Sequence, residues 1–411
     1  MTRSTVRLAA RNTLRRKART FFTAGMVVFS VAVLVVALTW VGGLFGSILT
    51  SITAVGGHVR IVDPDFAARE EMMPLYENLE VTAPLVAAIE RQPGVVSVEP
   101  RLATGVTVTK GEEIGEVFAM AVGANDRYFR EQLRGKEKLA AGEWFSGGPD
   151  ELVAGAKIAE RTGAKVGDEL VLLGATQDGS LSPIKGKLVG IISTGGGMLD
   201  QQIWMPLDKA RWLVDIPEGA TELLVFAEGL EGGKALATRL QTLPELGAYA
   251  VQSWHEREPL KSMTAVAMGI QGVIVLTFVF LAALGIWNTM TMSVLERTHE
   301  IGVLRAMGMS RLAVVGLCVG EALSIAVAGG GFGVLLGVGP AWLLETKGIT
   351  LGERVTGQLN APIPETIRGD LTLEVIVTAL LLGLLMAVLG SLLPALRAAS
   401  IQPVSAMRSG R

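Results

Sequence analysis

FFTAGMVVFSVAVLVVALTWVGGLF, residues 21–45, is twenty-five residues long and carries no charge. As a helix it would extend about 37 Å, against a bilayer hydrocarbon core of about 30 Å, so it reads as a membrane span. Three further stretches match it. They are residues 263–295, centred on MGIQGVIVLTFVFLAALGIW; residues 312–344, interrupted by Glu321 and Pro340; and residues 375–396, VIVTALLLGLLMAVLGSLLPAL. Four spans put both chain ends on the same side of the membrane. The first is too long for a removed signal peptide and reads as a retained anchor.

Composition agrees with a membrane protein carrying a large polar part. The 411 residues are 50% hydrophobic and 18% charged, and the mean hydropathy is +0.45; an ordinary soluble chain of this size is less apolar. A net charge of −2 offers no basic face wide enough to follow phosphates, which excludes nucleic acid as a partner. The single cysteine, Cys318, lies in an apolar run, so there is no disulfide framework to read.

Where the charges sit orients the chain. Arg3, Arg7, Arg11, Arg15, Arg16, Lys17 and Arg19 precede the first span and no acid occurs before Asp63; Arg397, Arg408 and Arg411 follow the fourth span, with no acid after Glu374. The positive-inside rule therefore places both termini in the cytoplasm. The expected organisation is a cytoplasmic amphipathic arm (1–20), a first span (21–46), a periplasmic α+β domain (47–262), a second span (263–295), a cytoplasmic helix (296–311), a third span (312–344), a short periplasmic loop (345–371), a fourth span (372–396) and a cytoplasmic tail (397–411). In the arm, Arg3, Arg7, Arg11 and Arg15 recur every four residues beside Val6, Ala10 and Leu14. That pattern suits a helix lying on anionic lipid, the alternative being topogenic charge without fixed structure.

The segment between the first two spans alternates strand-like and helical patterns. GHVRIVD (57–63), GVVSVEPRLATGVTVT (94–109), EVFAMAVGA (116–124), DELVLLGA (168–175) and GKLVGIIST (186–194) are rich in β-branched residues and bounded by Gly or Pro. APLVAAIERQ (83–92), AKIAERTGA (156–164), LDKARWLVD (207–215) and KALATRLQTL (234–243) have helical spacing. This layout suggests one lobe from 57–130 plus 220–260 and an inserted lobe at about 140–215. EEMMPLYENL (70–79) reads either as a soft substrate-facing loop or as ordinary packing.

Motifs for catalysis are missing. The sequence has no G-x-x-x-x-G-K-[ST] and no G-x-S-x-G, and His58, His255 and His299 lack metal-ligand spacing. Glu70–Glu71 and Glu112–Glu113 read as solvated loops, and Ser193-Thr194-Gly195-Gly196-Gly197 as a glycine turn after a strand. A non-catalytic chain without cofactor or metal is expected. The glycines of the third span are more informative. Gly329, Gly333 and Gly337 recur every four residues, after an earlier pair at Gly316 and Gly320, so a neighbouring backbone can approach closely, within one chain or between two. Glu321 is costly facing lipid and is expected to pair with a base such as Arg305 or Arg311.

Between the second and third spans lies ERTHEIGVLRAMGMSR (296–311). As a helix it has Glu296 and Glu300 on one edge, Arg297 and Arg305 on another, and apolar Ile301, Leu304 and Met307, with Gly308 to end it and Ser310 to cap the next span. Residues 296–308 match the pattern E-R-x-x-E-I-G-x-L-R-A-x-G, and the chain thereby resembles the FtsX-like ABC transporter permease superfamily. Glu321 and AVAGGGFGVLLG continue the likeness. So do NTLRRKARTFFT (12–23) and PALRAASIQPVSAMR (394–408), the latter with Met407 where Leu is usual. The large external domain and VQSWHEREPLKSM (251–263) are similar to the MacB and LolC/LolE branch.

The resemblance implies a dimeric permease, built from two copies or from paralogues, that works with a separate cytoplasmic ATPase dimer in which ATP and Mg act. It implies mechanotransmission: ATPase closure is passed through stiff helices to the external domains rather than opening a path through the membrane. Glu296, Arg297, Glu300 and Arg305 would then be polar contacts to the ATPase, with Ile301 and Leu304 as anchors. Span one runs uncharged to Gly57, and a helical lead to span two is expected from Ser253. A chain without a fused nucleotide-binding domain fits the LolC/LolE arrangement, which extracts lipoproteins from the membrane for a periplasmic carrier. Efflux with an adaptor protein, as in MacB, and envelope signalling to a hydrolase, as in FtsX, are the alternatives.

Overall fold

The computed structural model describes residues 17–111, 116–133, 138–194, 198–258, 260–350 and 366–402. The expected amphipathic helix at residues 1–20 lies almost wholly outside them, as do Glu112–Glu113, Gly195–Gly197, most of the loop 345–371 and the end of the tail. Ten α-helices are described: α1 (Lys17–Gly56), α2 (Pro64–Ala68), α3 (Ala83–Glu90), α4 (Ala156–Thr162), α5 (Leu207–Val214), α6 (Gly229–Leu240), α7 (Leu260–Glu296), α8 (Thr298–Ala306), α9 (Arg311–Thr346) and α10 (Leu373–Ala399). Four of these, α1, α7, α9 and α10, are long and apolar enough to cross a membrane.

Two compact units result, one from residues 1–46, 265–349 and 368–411, the other from 47–264 and 350–367. In the first, the buried faces of the four long helices meet in one apolar core that includes Val31, Leu34, Ile286, Ala326, Ala341 and Met386. Small residues dominate its far side: Ala379, Ala387, Ala395, Ala398 and Ala399 of α10 are buried. With lipid as apolar as these side chains, close backbone approach and dispersion hold such helices together.

The second unit is built on one ten-stranded sheet. Its strands are β1 (Val59–Val62), β3 (Val95–Thr109), β4 (Val117–Ala124), β5 (Leu139–Gly142), β6 (Glu151–Gly155), β7 (Glu169–Ala175), β8 (Leu181–Ile192), β9 (Gln202–Pro206), β11 (Glu222–Ala227) and β12 (Ala250–Ser253); β2 (Leu79–Glu80) and β10 (Gly219–Ala220) form a separate small pair. The order is β12-β1-β11-β3-β4-β9-β6-β8-β5, with β7 pairing β3 and β8. Pairs β4–β9 and β6–β8 are parallel and the others antiparallel. The two segments assigned to separate lobes thus share a sheet, joined where β4 meets β9 and β3 meets β7. Helices cover it with alternating apolar side chains: α3 and α6 over β1, β3 and β11, and α4 and α5 over β4, β7 and β8. Trp204, Tyr128 and Phe129 are the largest fully buried side chains, each contributing about 2 kcal/mol or more by burial.

Two expectations are corrected. No helix leads from Ser253: it starts a short 3₁₀ turn, Trp254–Glu256, closed by a capping box in which the Ser253 hydroxyl and the Glu256 carboxylate each accept a backbone N–H. α7 then begins at Leu260. EEMMPLYENL is neither a uniform loop nor uniform packing, because Leu75 is buried whereas Met72 and Tyr76 are exposed.

Candidate functional site

The segment between α7 and α9 folds as anticipated in outline. α8 ends where Gly308, at φ +95°, takes a left-handed conformation that suits a residue without Cβ. The Ser310 hydroxyl then accepts a bond from Ala313 N at 3.2 Å and caps α9. The faces, however, differ from the expected ones. Ile301 is only 5% exposed and packs with Val294, Val314 and Cys318 in the apolar core of the four-helix unit. It anchors α8 to its own chain and is not available to a partner. Leu304 is half-buried. The exposed residues between 296 and 307 are Glu296, His299, Glu300, Val303, Ala306 and Met307, of which Glu296, Glu300, Val303 and Met307 are spaced four, three and four apart.

Arg297 also turns inward. It sits in the break between α7 and α8, with Nε donating to Glu300 Oε2 at 3.1 Å and Nη1 to Glu321 Oε2 at 3.0 Å. Glu321 therefore pairs with Arg297, not with Arg305 or Arg311. Arg305, at the far end of α8, gives its Nη1 to Met309 O at 3.2 Å. The pair ties the start of α8 to α9, nearly three turns inside that helix, and compensates the carboxylate where lipid would penalise it.

Three of the five singled-out glycines form a seam. A Cβ at Gly329 would stand 3.2 Å from Ala24 O, at Gly333 2.7 Å from Val28 O, and at Gly337 2.8 Å from Ala32 O. The stripe of α9 thus receives successive turns of α1 within one chain. Gly316 is outside this seam, since a Cβ there would meet nothing within 4 Å; Gly320 is partly buried. Two glycines not picked out from the sequence are equally tight. Gly390 of α10 would bring a Cβ to 2.6 Å from Ala283 O of α7, and Gly383 would bring one to 2.8 Å from Val31.

In the sheet-based unit, register assembles a buried charge cluster. Arg101 of β3 stands directly opposite Glu222 of β11, with Nε and Nη2 each 2.9 Å from Glu222 Oε1. Arg60 of β1 donates to Glu70 Oε2 and to Gln252, both at 2.8 Å, and lies 3.9 Å from Glu222 Oε2. Burial alone would push the Glu222 carboxyl up; Arg101, Arg60 and Arg257 overcome it and hold the group below the ordinary carboxylate range. Burial, with Arg60 and Arg101 close by, brings Arg257 down to about 10.

The same unit carries an open cleft of about 1110 Å³ lined by Phe129, Phe145, Asp150, Lys185, Lys209 and Trp212 among others. Six of its charged residues pair with one another: Lys209 with Asp150, Lys185 with Glu169 and Arg130 with Asp126. Elsewhere Asp63, Asp65 and Glu77 approach one another closely enough to share a cation. Asp63 caps α2, however, and Glu77 pairs with Arg69.

Comparison with known proteins decides the family. The MacB-like periplasmic core domain matches residues 20–242, more than half of the chain, and the FtsX-like permease C-terminal domain matches residues 272–403. The chain belongs to the FtsX-like ABC permease superfamily, in its MacB/LolC branch. A MacB macrolide export ATP-binding/permease protein of Shewanella oneidensis is 25% identical over 95% of this chain and 58% of its own length. The lipoprotein-releasing system transmembrane protein LolC of Xylella fastidiosa is 26% identical over 66% of this chain and 68% of its own. An ABC transporter permease protein of Mycobacterium tuberculosis is 24% identical over 68% of this chain and 32% of its own length. The permease thus spans between 32% and 58% of the length of the first relatives it matches. The solved periplasmic region of MacB from Actinobacillus actinomycetemcomitans is 12% identical, aligns with 53% of this chain and 96% of its own, and gives a TM-score of 0.35. That likeness is too distant to carry an argument.

The FtsX-type match, residues 272–403, contains α8, the Arg297–Glu321 pair and the glycine stripe on α9. Of the buried charge cluster, Arg60, Arg101 and Glu222 fall in the stretch matching the MacB-like core, and Arg257 lies between the two matched stretches. Sequence reading missed it, although Arg60 inside VRIV and Arg101 inside a β-branched run were charges at strand positions. Four apolar helices and a domain of the periplasmic-core type make the protein a membrane permease with an extracellular domain.

Proposed function

We propose that this chain is a non-catalytic permease subunit that converts the closure of a separate cytoplasmic ATPase dimer into movement of its extracellular domain, in the inner membrane and with both termini cytoplasmic. The observation that carries the reading is the split character of α8. One face, Ile301 with the flanking Arg297, is locked into the chain's own helices, and the other exposes His299, Glu300 and Val303, with Glu296 and Met307 exposed on either side. A lever needs both faces: one to receive a push and one to pass it on. Two acids beside two apolar side chains suit a partner groove with basic rims and an apolar floor. The core of the four-helix unit is filled by apolar side chains, which favours work delivered through helices over passage of cargo between them. ATP and Mg belong to the partner, and no cofactor is required in this chain. The working unit is a pair of permeases, of the same chain or of a paralogue.

The cargo we infer is a lipoprotein drawn out of the membrane and passed to a periplasmic carrier, on the likeness to LolC across two thirds of the chain. Efflux through an adaptor is the second reading, favoured by the match of residues 20–242 to the MacB-like core and by MacB relatives that align with 95% of this chain. Affinity purification from native membranes in mild detergent, followed by mass spectrometry, separates the two. An ATPase recovered with lipoproteins or a lipid-binding carrier is the expected result, and its loss from Met307→Asp locates the dock. An ATPase recovered with an adaptor and an outer-membrane channel replaces the cargo assignment with efflux; recovery of no ATPase overturns the permease mechanism.

A further inference from the structure

The last turn of α1 has carbonyls that no residue of its own helix can satisfy. It also has no basic side chain to offset the negative end of the helix dipole. Three side chains from distant parts of the same unit do both. Tyr128 Oη donates to Val55 O at 2.8 Å, Arg101 Nη1 to Val55 O at 3.4 Å, and Arg257 Nη1 to Gly56 O at 2.7 Å and Gly57 O at 3.4 Å. The charges around them do not balance by themselves. Arg60, Arg101 and Arg257 face two carboxylates, Glu222 and Glu70, and the surplus positive charge is met by the partial negative charge of the helix end, about half a unit.

Arg257 has a second attachment. Its own carbonyl accepts the backbone N–H of Lys261 at 2.8 Å, in the first turn of α7. A single residue therefore holds the terminus of one long helix and the entrance of another. Beside it, Leu49 of α1, Trp254 and Leu260 of α7 pack in one apolar cluster with Ile52. A contact needed only for domain stability could be made by any apolar pair; a buried guanidinium aimed at a helix end is costly unless that end stays in place.

We propose that Arg257, supported at the same helix end by Arg101 and Tyr128, is a positioning residue that latches the end of α1 to the root of α7, so that these two helix ends carry force as one piece. The force-bearing part rests on the permease reading given above.

The test uses the full-length protein in lipid nanodiscs with Cys318→Ala, spin-labelled at Thr50→Cys and Lys261→Cys, both exposed. Pulsed electron-spin distance measurement should give a narrow distribution in this parent. It should widen at least twofold in Arg257→Ala, narrow again partly in Arg257→Lys, and widen less in Tyr128→Phe, which removes only one hydroxyl and guards against loss of folding. Arg239→Ala, which removes a surface bond to Pro93 O, should change nothing. An unchanged width in both Arg257→Ala and Tyr128→Phe overturns the latch, as does equal widening in Arg239→Ala. ATP-driven cargo release by the reconstituted assembly should fall at least tenfold in Arg257→Ala; release at the parent rate, with the distance widened, removes the latch from the force path and overturns the proposal. No ATP-driven release from the parent itself would instead refute the permease reading and leave the distance result to judge the latch.

Discussion

The four-helix unit and the sheet-based unit solve the same problem, a buried polar group, in opposite ways. Around the long helices polar groups are few: the Arg297–Glu321 pair lies at one end of the bundle, and glycines let backbones come close enough to need no further bonds. In the sheet-based unit, charges are brought into the interior deliberately, with Arg60, Glu222 and Arg101 on neighbouring strands. The difference teaches where each unit is fragile. The first fails when volume is added, the second when charge is removed.

The largest effect should come from removing charge. Glu222→Ala leaves three buried guanidinium groups facing one half-exposed carboxylate, and loss of one partner of a buried pair costs about 3–5 kcal/mol. Thermal unfolding of the purified permease should register it as the lowest melting temperature of the set. Because the Glu222 carboxyl is held below its ordinary range, the stability it contributes is fully present at neutral pH and is lost as pH falls through the acid range; Glu222→Ala should flatten that acid limb. An unchanged melting temperature would break the comparison.

Adding volume comes next. Gly333→Ala places a methyl 2.7 Å from Val28 O and 2.8 Å from Val31 Cβ, an overpacking worth about 1–3 kcal/mol, whereas Gly316→Ala meets nothing and should be neutral. Detergent-solubilised stability of the two variants, measured side by side, checks the seam. Glu321→Gln, which weakens the tie to Arg297, should cost about 1 kcal/mol and leave Glu300 as the only acid on that guanidinium. Hydrogen exchange in α8 should rise in that variant and in no distant strand.

The smallest effect has the opposite sign. Burial pushes the Glu99 carboxyl up to about 7, with Arg127 opposing. A carboxyl raised in the folded state keeps a proton that the unfolded chain has lost, so its penalty is absent below the ordinary carboxylate value, grows between there and about 7 and is complete above it. Glu99→Gln should therefore stabilise by on the order of 1 kcal/mol more at pH 8 than at pH 4. Equal stability at both values would show that Arg127 already compensates the charge.

The membrane part was legible because its signals are local. An uncharged run of sufficient length, a four-residue glycine spacing and a Gly–Ser boundary at 308–310 each act over a few residues, and the structure places α1, the α1–α9 seam and the end of α8 accordingly. In the external segment the five predicted strands and the four helices at 83–92, 156–164, 207–215 and 234–243 are also present, and only the helical lead from Ser253 is not. Missed were β2, β5, β6, β9, β10, β11 and β12, short strands whose pairing depends on neighbours up to 194 positions away, as Val59 and Ser253 illustrate. Ile301 shows the limit within a local motif. Periodicity identified an apolar face on α8, but which edge turned inward was decided by Val294, Val314 and Cys318 on other helices. The glycines at 383 and 390 were hidden for the same reason, because what makes them tight lies on α1 and α7.

The central claim is that the exposed face of α8 receives a separate ATPase. A photo-crosslinking amino acid placed at Met307 in native membranes tests it most directly, with the same residue at the buried Ile301 as comparison. An ultraviolet-dependent adduct to an ATP-binding polypeptide is expected from position 307 and none from 301. An adduct from 301 instead, or lipid as the sole product at 307, would contradict it.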